Sequence, residues 1–148
     1  MKFILCLVLS ALIAAPTYAE TATDPIEPSV FFEGDDADLN TFVWIKRPLV
    51  VFADSPFDPR YIQQMEYLEE RQGELIERDV VVLSDTQPDV DSALRGRLHP
   101  RGFMIVLMAK DGTIYLRKPV PWDVREISRV IDKLPTRQQE IRERREAD

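Results

Sequence analysis

An α/β fold, a central mixed sheet of about four strands with flanking helices, is predicted by three observations. Two apolar runs without polar alternation, residues 49–53 and 80–83, bracket a segment of helical periodicity. That is the pattern of two buried parallel strands joined by a crossover helix. A third apolar run at 103–109 meets Asp111-Gly112 and returns as the alternating 113–117, an antiparallel hairpin with a two-residue turn.

In chain order, Lys2, the apolar stretch 3–15 and the small residues Thr17 and Ala19 read as a secretory signal peptide over 1–19, cut before Glu20. The run is too short for a spanning helix, which needs roughly 20 apolar residues, so no stable membrane anchor is expected once it is removed. The chain's one cysteine, Cys6, leaves with it. A mature chain without thiols excludes disulfides and thiol oxidoreductase chemistry, and the expected location is periplasmic or secreted. The formal charge of −7 opposes binding to nucleic acid or anionic lipid.

Residues 20–40, with Pro25, Pro28 and the acids Glu33, Asp35, Asp36 and Asp38, read as a disordered acidic leader. They lack the alternating-acid spacing of a calcium loop. The folded domain is expected over 41–135. Trp44, in the apolar lead-in 39–45, reads as a core anchor ahead of the first strand. Asp58-Pro59 is a helix start, because Asp58 can accept a free backbone N–H and Pro59 has none to lose at the first helical position. The helix runs from Pro59 to about Gly73, with Tyr61, Met65 and Leu68 on its apolar face; Gly73 either ends it or is carried before Glu74. After the second strand, 84–101 is loop, with a short helix at 90–94 behind Asp89. Asp123 caps a last helix with Glu126 completing the capping box, a Trp122 to Ile127 staple, and Pro135 as its stop. Residues 136–148 are polar on nearly all sides, and a fraying charged tail is expected.

Four phrases in this order carry a resemblance: Arg47-Pro48-Leu49-Val50-Val51-Phe52-Ala53, Glu77-Arg78-Asp79-Val80-Val81-Val82, Lys110-Asp111-Gly112, and Ile131-Asp132-Lys133-Leu134-Pro135-Thr136-Arg137-Gln138-Gln139-Glu140. Together they resemble a bacterial exported domain family of unknown function. That family is similar to the DUDES domain of vertebrate extracellular and sushi-repeat proteins. The resemblance implies a thioredoxin-like fold, often without redox cysteines, and supplies no catalytic residues. Where such folds hold their cysteine pair, this chain reads Asp54-Ser55-Pro56-Phe57-Asp58. Where they place a substrate-binding proline before the third central strand, it has Met104, with Pro100 four residues early.

The candidate site is therefore the loop after the first strand. Ser55, Arg60, Arg95, Arg97 and Arg101 form a candidate small-anion pocket at the helix N-terminus, opposed by Asp54 and Asp58. Phe57, Tyr61 and Pro100 form a candidate groove for a protein or peptide partner. A hydrolytic triad of Ser55, His99 and an aspartate lacks the Gly-x-Ser-x-Gly elbow. One histidine gives no metal set without several carboxylates. No catalytic, cofactor or metal residue is assigned. The expected function is a non-redox binding module, with an enzyme or small-anion binder as the alternative.

Overall fold

The computed structural model describes residues 30–34 and 37–147. The expected signal peptide, Asp35 and Asp36 lie outside the described residues. Five strands form one mixed sheet in the order β1-β3-β2-β4-β5, namely β1 (Phe31–Glu33), β2 (Arg47–Phe52), β3 (Val80–Asp85), β4 (Met104–Met108) and β5 (Ile114–Lys118). β1 and β2 run parallel to β3, β4 runs antiparallel to β2, and β5 antiparallel to β4. The helices are α1 (Pro59–Glu70), α2 (Gln72–Glu77), α3 (Ala93–Leu98), α4 (Val124–Asp132) and α5 (Pro135–Ala147).

β2 is buried along its whole length and its side chains feed both layers. Leu49, Val51 and Ala53 pack with Leu68, Leu75, Ile127 and Ile131 of α1, α2 and α4. Val50 and Phe52 face the other way, onto Leu39, Leu94 and Leu98. This is the period of two that a strand imposes. Pro48 is tolerated at the centre of the sheet for a geometric reason. The N–H groups of Arg47 and Ala53 donate toward β3 (Asp79 O 2.8 Å, Asp85 O 3.0 Å), so Pro48 faces β4. The β4 register begins only at Leu49↔Leu107, and no ladder bond is lost there.

Several expectations are corrected. The sheet has five strands among the described residues, because the stretch read as a leader contributes β1 at an edge and a 3-10 turn at Leu39–Phe42 capped by Asp38. Trp44 is 69% exposed rather than a core anchor, since the turn after Phe42 carries it out with φ 64. The first helix breaks at Arg71 (φ −125), and Gly73 lies within α2. α3 starts at Ala93, not Val90, because the Ser92 hydroxyl accepts from Arg95 N and caps it there. The hairpin closes through Lys110-Asp111-Gly112, with Gly112 N donating to Ala109 O (3.0 Å) and Gly112 at φ 85. Asp123 does cap α4, but Glu126 reaches Arg129 at 2.7 Å. Pro135 ends α4 by opening α5, which continues to Ala147 where a frayed tail was expected.

Candidate functional site

The C-terminal end of β2 delivers the loop that the sequence singles out. Ala53 is buried and Asp54 exposed. The chain then turns through Ser55–Asp58, with Asp58 N donating to Ser55 O (3.2 Å) and Phe57 N to Ser55 Oγ (3.1 Å). Asp58 Oδ1 accepts from Arg60 N at 2.9 Å as the cap of α1, while the Arg60 guanidinium returns to the same carboxylate at 3.1 and 2.7 Å. The Arg60 hydrogen bonds hold the Asp58 carboxyl below the usual carboxylate range, and the same contact raises Arg60. The positive end of α1 thus carries its own anion. Arg60 also lies over the Phe103 ring, 5.4 Å from its centre.

The remaining candidate arginines do not converge. Arg95 donates from Nε to Asp85 Oδ1 (2.9 Å) and from Nη2 to Ala53 O (2.9 Å), and stacks on Phe52 at 5.5 Å. Asp85 is fully buried and also accepts from Ser92 Oγ (2.6 Å) and Gln87 N (3.2 Å). Arg95 is therefore a strut under the loop. Arg97 reaches Asn40 Oδ1 (3.2 Å), and Arg101 is exposed without a partner among the described residues. Ser55 and His99 share no hydrogen bond, and His99, exposed with φ 47, is the C-cap of α3. The sequence reading missed Asp85; an acid ending an otherwise apolar strand was the available signal.

The groove residues part company as well. Phe57 projects at the loop tip, 83% exposed. Tyr61 packs against the core and lines a cavity of about 160 Å³ with Glu33, Pro56, Ser84, Thr86 and Gln87, in which neither Phe57 nor Pro100 takes part. Before β4, Gly102 has φ 60, and a Cβ there would meet only Asp54 Oδ2, at 3.7 Å. No cis peptide occurs among the described residues. Nor does any group of three or more His, Cys, Asp or Glu there suit a metal ion.

The opposite end of the sheet gathers the four phrases quoted above into one ionic network. Arg47, fully buried, donates to Arg78 O and to Glu140 Oε1, both at 2.8 Å. Lys110 bridges Glu140 (3.0 Å) and Asp79 (2.8 Å). Arg78 grips Asp132 with two bonds, at 3.0 and 2.9 Å. Arg137, also buried, reaches Glu140 at 3.3 Å and Glu77 at 3.6 Å. Burial pushes the Glu140 carboxyl up, but its bonds to Arg47 and Lys110 outweigh this and hold it below the usual range.

Comparison with known proteins bears on both ends. The family described as "Domain of unknown function (DUF4174)" matches residues 38–140, a span that includes the loop and ends on Glu140. The 2-Cys peroxiredoxin of Plasmodium vivax in its reduced form superposes with a TM-score of 0.55 at 15% identity, covering 70% of this chain and 85% of that one. Thioredoxin peroxidase I of Plasmodium yoelii superposes at 0.51 with 17% identity, covering 70% and 80%. These likenesses show a thioredoxin-like fold. No curated protein sequence matches the chain.

Proposed function

We propose that this chain, which belongs to the DUF4174 family, is an exported, non-redox binding module that docks a protein or peptide through the loop leaving β2. With Cys6 its one cysteine, the chain has no thiol pair. The observation that carries the reading is Phe57, an aromatic 83% exposed at the loop tip. In the loop and beneath it, Asp58 is engaged by Arg60, and Arg95 by Asp85. An apolar knob on a hydrogen-bonded turn has the form of an interface anchor. Small-anion binding has less support, since Arg60, Arg95 and Arg97 each have an acceptor of their own. Export rests on the apolar segment at 3–15 and the small residues before Glu20, and kinship with DUDES-type domains on the four phrases.

Selection of random peptides on the immobilised protein tests the reading. Binders that lose roughly tenfold or more in affinity on Phe57→Ser, and nothing on Tyr115→Ser at a distant exposed site, are expected. Enrichment indifferent to Phe57, or none, refutes it. Periplasmic material beginning at Glu20 is expected by mass spectrometry; an intact Met1 refutes export by cleavage.

A further inference from the structure

Trp44 stands where the fold asks for glycine. It follows Val43, the C-cap of the Leu39–Phe42 turn, and its φ of 64 is a conformation that only glycine adopts freely. Backbone bonds fix it there: Ile45 N and Lys46 N donate to Phe42 O (both 2.9 Å), and Trp44 N donates to Lys110 O (2.6 Å). Folding thus uses the backbone of Trp44 and leaves its indole 69% exposed, beside an Ile45 that is 62% exposed. A bulky residue held in a left-handed conformation without burial in return points to a role beyond the fold.

The indole borders a cavity of about 300 Å³ whose other walls are Lys110, Thr136, Gln139, Glu140 and Glu143. Lys110 is taken up by Asp79 and Glu140, and Glu140 also holds Arg47. Glu143 accepts one hydrogen bond from Gln139 Nε2 (2.7 Å) and meets no cation among the described residues. An aromatic face beside an uncompensated carboxylate suits a planar cation that stacks and donates paired N–H bonds, which is a guanidinium.

We propose that this cavity receives an arginine side chain from a basic segment of a protein partner, with the guanidinium over Trp44 and its N–H groups toward Glu143. The formal charge of −7 on the chain complements such a segment. The site is separate from Phe57: the two aromatics flank opposite ends of β2, whose six residues span about 20 Å.

The test titrates capped tri-arginine, tri-lysine and tri-glutamate peptides into the full chain carrying Trp122→Phe, so that Trp44 alone reports by fluorescence. Tri-arginine gives a saturable change, tri-lysine a weaker one and tri-glutamate none. Calorimetry on Trp44→Gly shows a loss of roughly tenfold or more, and Glu143→Gln a loss of about threefold. Glu70→Gln, an exposed acid of α1 that does not line the cavity, changes nothing. Trp44→Asn, which also accepts a left-handed backbone, gives the same loss as Trp44→Gly and guards against a folding defect. Absence of saturable binding, equal binding of tri-glutamate, or equal losses at Glu70 and Glu143 overturns the proposal.

Discussion

The two ends of β2 solve one problem, a charged group at the margin of a buried sheet, in different ways. At the C-terminal end Asp85 binds Arg95 and Ser92 within ten residues of itself, and Asp58 binds Arg60 two residues away. At the N-terminal end Arg47 finds Glu140, ninety-three residues on. Local pairing leaves a loop free to present a side chain. Long-range pairing instead recruits α5, a helix polar on almost every face, into the body of the protein. The first end frees a loop; the second ties a helix into the body, with the exposed Trp44 at its edge.

The largest expected effect comes from the most buried carboxylate. Asp85→Ala strips two side-chain partners from beneath the loop and leaves the Arg95 guanidinium without its carboxylate, at a cost of about 3–5 kcal/mol in urea unfolding. If the loss is under about 1 kcal/mol, as for a surface pair, the strut has been misjudged. Glu140→Ala ranks next, at about 3 kcal/mol, because Arg47 is left buried and half-paired while Lys110 keeps Asp79. Its distinguishing mark is spatial. Hydrogen exchange in Glu140→Ala accelerates across 135–147 before the sheet, whereas in Asp85→Ala the sheet and loop loosen together. Uniform acceleration in both variants would erase the contrast between the ends.

These differences also set what was legible in the sequence. β2, α1, β3, the hairpin and α4 were readable because hydrophobic period and local chemistry agree, as at Asp58-Pro59 and Asp123. β1 was not, since three residues beside an acidic cluster show no period, and its pairing with Val82, Leu83 and Ser84 is a long-range fact. α5 was not, because its anchorage lies in Arg47, Lys110 and Glu77 rather than in an apolar stripe. Trp44 was misread because hydropathy says what a side chain prefers, while the turn after Phe42 decides where it goes. In the site, the loop was singled out in advance, but Phe57 was grouped with Tyr61 and Pro100 in a groove that the structure does not assemble; that Arg95 belongs to Asp85 was not foreseen, since both partners sit in stretches without amphipathic pattern. The phrases that carried the family resemblance converge on the ionic network, so they record the end that anchors α5 rather than the loop after β2.

A smaller effect is expected in the backbone beside the loop. Gly102→Ala places a Cβ at φ 60, where space is open but the conformation is unfavourable, and should cost about 1 kcal/mol. Peptide binding through Phe57 should survive it, since Gly102 borders Asp54 and not Phe57. A neutral or stabilising result would mean that this segment relaxes easily, and that the end bearing the loop is less rigid than its hydrogen bonds imply.

The subtlest contrast is electrostatic. Asp58 and Glu140 both titrate below their usual ranges, so each contributes stability that is present above its unfolded value and is lost as pH falls through the lowered folded value. Asp58 owes its shift first to the hydrogen bond from Arg60, at the surface, where added salt competes with the pair. For Glu140, burial raises the carboxyl and the bonds from Arg47 and Lys110 more than offset it, with Arg47 wholly out of reach of counterions. Carboxyl titrations followed by NMR at low and at about 1 M salt should therefore move Asp58 back toward the ordinary range and leave Glu140 closer to where it was. Equal salt shifts at the two groups would place both pairs in the same solvent-screened setting and remove the physical basis for treating the ends as different.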